Sequence, residues 1–280
     1  MGDRLYDTGA AALRLAFRVF GGPIDAAGQE HIPAAGPVIL ASNHISYIDF
    51  SFVALSQRSR RVRFMIRTDI MQLPLVGAAL RAMGQIDIDP YGDPRPGYRQ
   101  ARRALEQGEC VGVFPEGTIS PSFVPMTAHS GAVRLAAAIG APIVPVAVWG
   151  SQRILTKGRR PSLRRGIAVV VRYGDTFIVD PADRPREASE ELMLRIEGLL
   201  KQAQDAYPQR PDGPDDTWWL PRHLGGTAPA VQEAAARIAR QNDERRRARK
   251  RDRSRRGPAA RRRRSLSRRP RSSDRRSAAG

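Results

Sequence analysis

The 280-residue chain has a single cysteine, Cys110, which excludes an internal disulfide framework and fits a reducing compartment. No stretch approaches the ~20 apolar residues of a membrane span, and the N-terminal segment lacks the small-residue cleavage site of a secretory signal. Four histidines, His31, His44, His129 and His223, have no metal-ligand spacing with one another or with Cys110, so no metal centre is expected. Gly-x4-Gly-Lys-Ser/Thr, Gly-x-Gly-x-x-Gly, Gly-x-Ser-x-Gly and His-Glu-x-x-His are all missing, which removes phosphate-loop, dinucleotide, serine-elbow and zinc-protease chemistry. Without a nucleophile motif, a covalent enzyme intermediate is not expected either.

Charge is plentiful but confined. Of a formal net charge of +19, residues 245–280 carry +16, from 18 Lys and Arg against Asp252 and Asp274, which leaves +3 for residues 1–244. The rival reading of that charge is a basic-tailed nucleic-acid-binding protein. The tail has no interleaved aromatics on which bases could stack, so nucleic acid is not the expected partner. An Arg-, Ser- and Pro-rich segment of this kind cannot bury a core and is expected to be disordered in isolation. The sequence therefore divides into an amphipathic N-terminal helix (1–22), an α/β domain (23–207), a C-terminal extension (208–244) and a disordered basic tail (245–280).

In the first segment Tyr6, Ala10, Leu13, Phe17 and Phe20 recur at intervals of four and three, one face of a helix, with Arg4, Thr8, Arg14 and Arg18 elsewhere on it. That face either docks on the core or lies in a membrane interface with its arginines on anionic headgroups. Strands are expected at 38–42, 62–67, 85–88, 110–114, 142–149 and 167–173. Helices are expected from Ser46 to about Gln57, from Asp69 to Met83 with an interruption near Pro74, and over 97–107, 131–139 and 187–207. Gln152 to Arg165 reads as a basic loop, the Trp218-Trp219 pair as packing back on the domain, and Pro229 onward as an Ala- and Arg-rich helix. Alternating strands and helices predict an α/β fold with a sheet flanked by helices.

The stretch that carries chemistry is the apolar run Val38 to Ala41, broken at Ser42-Asn43-His44. A histidine at the end of a buried strand, with a carboxylate five residues on, is how an imidazole is fixed in one tautomer as a general base. Positions five apart point about 140° away from each other on a continuous helix, so His44 and Asp49 meet only if a turn separates them. Ser46, followed three residues later by Asp49, has the form of an N-cap supplying that turn. The less chemical alternative is that Asp49 only caps the helix. Cys110 to Phe114 is a second apolar strand, broken by Pro115-Glu116-Gly117, and it too delivers polar groups to a strand end, where α/β sites are built.

Together Asn43-His44-Ile45-Ser46-Tyr47-Ile48-Asp49 and Phe114-Pro115-Glu116-Gly117-Thr118 resemble the glycerolipid acyltransferase family. Gly84-Gln85-Ile86-Asp87-Ile88-Asp89 and Pro142-Ile143-Val144-Pro145-Val146 resemble its second and fourth blocks, in the same order, across about residues 36–150. The resemblance implies a mixed sheet flanked by helices, with transfer of a fatty acyl group from acyl-CoA or acyl carrier protein to a hydroxyl of a lyso-phospholipid, first of all 1-acyl-glycerol-3-phosphate. It implies His44 as the base, Asp49 as the group that orients it, and Asn43, Ser46, Glu116, Gly117 and Thr118 on the substrate side, the amides around Gly117 being candidates to bind anionic oxygen. The acyl thioester is a co-substrate and no cofactor is expected. The expected location is peripheral, on the cytoplasmic side of the cell membrane, through the N-terminal helix and the basic tail on an anionic surface.

Family members of this type place cations where this chain has Pro90, Ile119 and Ala128-His129-Ser130. Proline and isoleucine cannot imitate the planar fork with which arginine grips phosphate. Either Arg95, Arg99 or Arg153 takes over the headgroup, or the acceptor is another polar lipid without a phosphate monoester.

Overall fold

A computed structural model describes residues 2–266, with side chains over 6–15, 17, 21–248 and 251. Seven strands form one sheet: β1 (Ile24–Ala27), β2 (Val38–Ser42), β3 (Val62–Arg67), β4 (Ile86–Ile88), β5 (Cys110–Val113), β6 (Ile143–Trp149) and β7 (Val169–Tyr173). Their spatial order is β1-β7-β6-β2-β5-β3-β4. Every neighbouring pair is parallel except β6 and β7. All residues of β2, β5 and β6 are buried, because parallel strands with helices on both faces must be apolar on both sides.

The pleat sorts the apolar side chains between two layers. Val38, Leu40, Phe64, Val144 and Val146 face one side, packed with α2 (Asp49–Ser56), α3 (Thr68–Met71) and α4 (Pro74–Ala82). Ile39, Ala41, Val111 and Ile143 face the other, packed with α5 (Arg95–Glu106), α6 (Gly131–Ile139) and α7 (Pro185–Asp205). Gly112 lies in β5 opposite Phe64, whose ring would stand 2.4 Å from an added Cβ. A side chain there would displace the aromatic that backs the site.

α1 (Gly2–Phe20) docks through its predicted face: Tyr6 and Ala10 are buried with Leu55, and Leu13 and Phe17 pack beside them. The Phe17 and Phe52 rings are 4.6 Å apart, and Tyr6 accepts the Val62 N–H at 3.1 Å. The side chains of Arg4, Arg18 and Phe20 lie outside the description. The paired tryptophans behave as expected at Trp219, which is buried against Trp149 and Tyr207.

Several boundaries move. The helix expected from Ser46 starts at Asp49, and the one expected over Asp69 to Met83 is two, divided at Leu73-Pro74, with Pro74 opening the second. β1 is an edge strand of four residues in a segment that reads as a polar link. The chain divides after Ala235. α8 (Val231–Leu266) is helical past Glu244, and residues 267–280 of the tail lie outside the described residues.

Candidate active site

β2 sits at the point where the winding of the sheet reverses. From β2 the chain crosses through α2, on one face, to β3; from β5 it returns through α6, on the other face, to β6. Connections that leave in opposite directions open a crevice at the carboxyl ends of the strands. His44 follows β2 there, and Glu116 follows β5.

His44 Nδ1 donates to Asp49 Oδ2 at 2.9 Å. The same oxygen accepts the backbone N–H groups of Ile45 and Ser46, each at 2.7 Å, while Oδ1 accepts the Ser151 hydroxyl at 2.5 Å. Asp49 is fully buried, yet four donors compensate its charge, which is what a buried carboxylate requires. An acceptor at Nδ1 fixes the proton on that nitrogen and leaves Nε2 as the basic atom. Nε2 has no hydrogen-bond partner among the described residues, and the side chain is 17% exposed. The ring stacks on Phe114 with centroids 4.0 Å apart, and Phe114 is backed by Phe64.

The geometry predicted for His44 and Asp49 is therefore present, but Ser46 does not cap the helix. Ile48 occupies the N-cap position without a side-chain cap. Ser46 donates to Leu155 O at 2.5 Å and accepts the Ile48 N–H at 3.3 Å, tying the turn to the loop beyond β6. Asn43 is spent on β6, donating to Val148 O at 3.0 Å and accepting the Val148 N–H at 2.7 Å. Both residues are fully buried. Both side chains, expected on the substrate side, are engaged in holding the turn.

Glu116 is also a strut. Its carboxyl oxygens accept the backbone N–H groups of His44 at 2.8 Å and Met126 at 3.0 Å. Burial pushes its carboxyl up to about 8, against those two hydrogen bonds and with help from the nearby Asp49 charge. Gly117 adopts φ +66°, and its N–H closes the turn on Phe114 O at 3.0 Å, so that amide is not free for an oxyanion. An added Cβ on Gly117 would meet the His129 ring at 3.0 Å. Thr118 is 8% exposed and Ile119, where a family cation is expected, 4%.

The cations proposed as substitutes divide. Arg153 is packed away: its guanidinium lies 4.3 Å from the Trp219 ring and bonds Tyr207 and Gln209 at 3.1 and 2.8 Å. Arg95 is exposed and paired with Asp93 at 3.0 Å, and Arg99 is exposed on α5. Sequence reasoning missed Arg67, the last residue of β3. It pairs with Asp69, lies 5.3 Å from the Tyr91 ring and feels the Tyr47 hydroxyl. The signal available was an apolar strand that ends on a cation at the same end as His44.

Among the described residues no cluster of three or more His, Cys, Asp or Glu is placed to hold a metal ion. Cys110 opens β5, at the far end from Glu116, and burial pushes its thiol up to about 12, so it is inert.

A family model described as Acyltransferase matches residues 23–149. A chloroplastic 1-acyl-sn-glycerol-3-phosphate acyltransferase of Brassica napus is 31% identical over 152 residues, covering 52% of this chain and 43% of the relative. The chain thus spans less than half of that relative's length. A 1-acyl-sn-glycerol-3-phosphate acyltransferase of Bacillus subtilis is 25% identical over 195 residues, 70% of this chain and 96% of the relative. The crystal structure of the 1-acyl-sn-glycerophosphate (LPA) acyltransferase PlsC from Thermotoga maritima superposes with a TM-score of 0.62 at 20% identity, over 74% of this chain and 81% of that one, a likeness of fold.

Proposed function

We propose that this chain, whose residues 23–149 match the family model described as Acyltransferase, is a glycerolipid acyltransferase that transfers a fatty acyl group from an acyl thioester, on coenzyme A or acyl carrier protein, to a hydroxyl of 1-acyl-glycerol-3-phosphate. The observation that carries this reading is the unpartnered Nε2 of a histidine whose Nδ1 is held by a buried, four-donor Asp49. His44 Nε2 takes the proton of the acceptor hydroxyl as its oxygen attacks the thioester carbonyl. The tetrahedral intermediate collapses by breaking the C–S bond, and the imidazolium returns the proton to the departing thiolate. Asp49 stabilises the imidazolium in between. Acyl transfer is direct, so the enzyme needs no nucleophile of its own.

Arg67 supports a phosphate-bearing acceptor, since it is the cation that β3 delivers to the His44 end of the sheet. A peripheral position on an anionic membrane fits the basic tail, since the apolar face of α1 is docked on the core, and no helix among the described residues is long and apolar enough to cross a membrane. The test is to incubate the purified chain with a radiolabelled acyl thioester and, separately, lysophosphatidic acid, zwitterionic lyso-lipids and neutral acceptors. Labelled phosphatidic acid should dominate and vanish in His44→Ala. Equal or better labelling of a phosphate-free acceptor would reject the acceptor named here.

A further inference from the structure

At the opposite end of the sheet from His44, where β3 and β5 begin, a cavity of about 510 Å³ opens between α1 and the segment joining α2 to β3. Its lining includes Arg14, Arg58, Arg60, Arg61 and Arg63 against only two carboxylates, Asp7 and Glu109. Three of these guanidiniums are spent. Arg60 donates to the carbonyls of Pro33, Gly36 and Gly108, Arg61 pairs with Asp7 at 2.7 Å, and Arg63 pairs with Glu109.

Two are not spent. Arg14 and Arg58 have no hydrogen bond or ion pair among the described residues, and the Nε of Arg14 is buried without a partner. Tyr6 accepts the Val62 N–H through its hydroxyl oxygen, and its own O–H has no acceptor among the described residues. The cavity therefore has unused donors on α1 and on the α2–β3 segment, while both its carboxylates are already paired. A buried donor without an acceptor is destabilising, and a group that offers only acceptors and negative charge would remove that cost. Arg61 and Arg14 hold the Asp7 carboxyl below the usual carboxylate range, as a net positive cavity should.

We propose that this cavity is an anion site for a phosphate group, held by Arg14, Arg58 and the Tyr6 hydroxyl. Two guanidiniums that line one cavity from separate elements suit the several oxygens of a phosphate better than a single carboxylate. The phosphate belongs either to a phospholipid headgroup, reached beside the amphipathic α1, or to a soluble phosphate compound. The site is independent of the His44 chemistry, and it ties α1 to the body of the domain.

The test titrates the full-length chain with inorganic phosphate and with dihexanoyl phosphatidylglycerol, which is not a product of the acyl transfer, below its micelle concentration, by calorimetry, in wild type, Arg14→Gln, Arg58→Gln and the remote Arg95→Gln. Saturable binding that weakens about tenfold or more in Arg58→Gln and Arg14→Gln but not in Arg95→Gln supports the site. Tenfold tighter binding of the lipid than of phosphate assigns a headgroup; equal affinity assigns a soluble ligand. Arg58 is exposed and carries no packing, so its substitution leaves the fold intact even if Arg14→Gln loosens α1. Unsaturable binding to both ligands, or saturable binding unchanged by Arg58→Gln, overturns the proposal. Turnover in detergent micelles reads His44 and should be the same in Arg58→Gln, so failure here does not touch the acyltransfer reading.

Discussion

The Ser151 hydroxyl lies 2.5 Å from Asp49 Oδ1, on the carboxylate oxygen that does not face His44. Ser151 follows β6 through Gly150 at φ +98°, where an added Cβ would meet Ala168 O at 2.3 Å. β6 thus steadies the carboxylate from behind while the turn after β2 presents it to the imidazole. Ser151→Ala should lower kcat about tenfold with little change in KM, because a hydrogen bond to a charged group contributes about 1.5–3 kcal/mol, and Ser151→Thr should restore most of the loss. Steady-state kinetics of the two variants check this: a rise in KM at unchanged kcat would place Ser151 on the substrate and not behind Asp49.

His44→Ala should cost about 10²- to 10⁴-fold in kcat with the fold intact. Asp49→Asn should also be severe, at least about 100-fold. An asparagine can keep its oxygen on Nδ1–H and its amide on Ser151, but it loses the charge that stabilises the imidazolium. Had Asp49 been only a helix cap, Asn would be nearly silent, since the two residues cap about equally well. The absence of a side-chain cap on α2 already argues for the severe outcome. Single-turnover rates with circular dichroism on each variant decide between the two.

Glu116 makes stability depend on pH in a definite direction. Its folded carboxyl is raised to about 8, above the ordinary carboxylate value, so between the two the folded state holds a proton that the unfolded state has released. Stability must then fall as pH rises through that window, by up to about 1.4 kcal/mol per pH unit from this group alone, and level off above pH 8. Glu116→Gln should flatten that slope. It should also be less stable at low pH, because one amide N–H would face a backbone N–H of His44 or Met126. Urea unfolding of both proteins from pH 5 to 9 tests the sign; a wild-type curve that rises across this range would refute it.

How much of this was legible depended on how local the physics was. The strand ending at Ser42, the break at His44 and the carboxylate at Asp49 are adjacent in sequence, and the need for a turn between them follows from helix geometry alone. The roles of Asn43, Ser46 and Glu116 were not legible, because their partners Val148, Leu155 and His44 lie 105, 109 and 72 residues away, on other segments of the chain. A polar residue in a motif looks the same whether it meets a substrate or a backbone amide. Arg153 was misjudged for the same reason: nothing local announces that Trp219, far along the chain, will cover it. β1 escaped notice because four residues of alternating polarity on a sheet edge carry little periodicity.

Arg67 and Arg153 should separate in their effects. Arg67→Ala should raise KM for lysophosphatidic acid about tenfold and leave unfolding nearly unchanged, since its side chain is at the crevice and only partly covered. Arg153→Ala should do the reverse, lowering stability by about 2–3 kcal/mol, because it leaves Tyr207 and Gln209 without a buried cationic partner and uncovers Trp219. Thermal melts beside kinetics on lysophosphatidic acid make the comparison. If Arg153→Ala raises KM while its melting temperature holds, the headgroup lies beside Trp219 and the assignment of Arg67 fails.

The tail should tether and not catalyse. Residues 245–280 concentrate 18 of the 47 Lys and Arg, none of them near the His44 turn in sequence, while residues 1–244 are nearly neutral. A basic residue close to an anionic bilayer contributes about 1 kcal/mol, and that attraction fades within a Debye length of about 8 Å at physiological salt. Truncation after Glu244 should therefore weaken binding to vesicles of phosphatidylglycerol and phosphatidylcholine strongly at low salt and less at high salt. Turnover on substrate in detergent micelles should survive, because the residues that hydrogen-bond His44 or the Asp49 carboxylate among the described residues lie before Arg153. Vesicle sedimentation at two salt concentrations, with micellar turnover measured on the same preparations, tests both halves. Equal vesicle binding by full-length and truncated chains at low salt would mean that residues 1–244 hold the membrane and that the tail serves another partner.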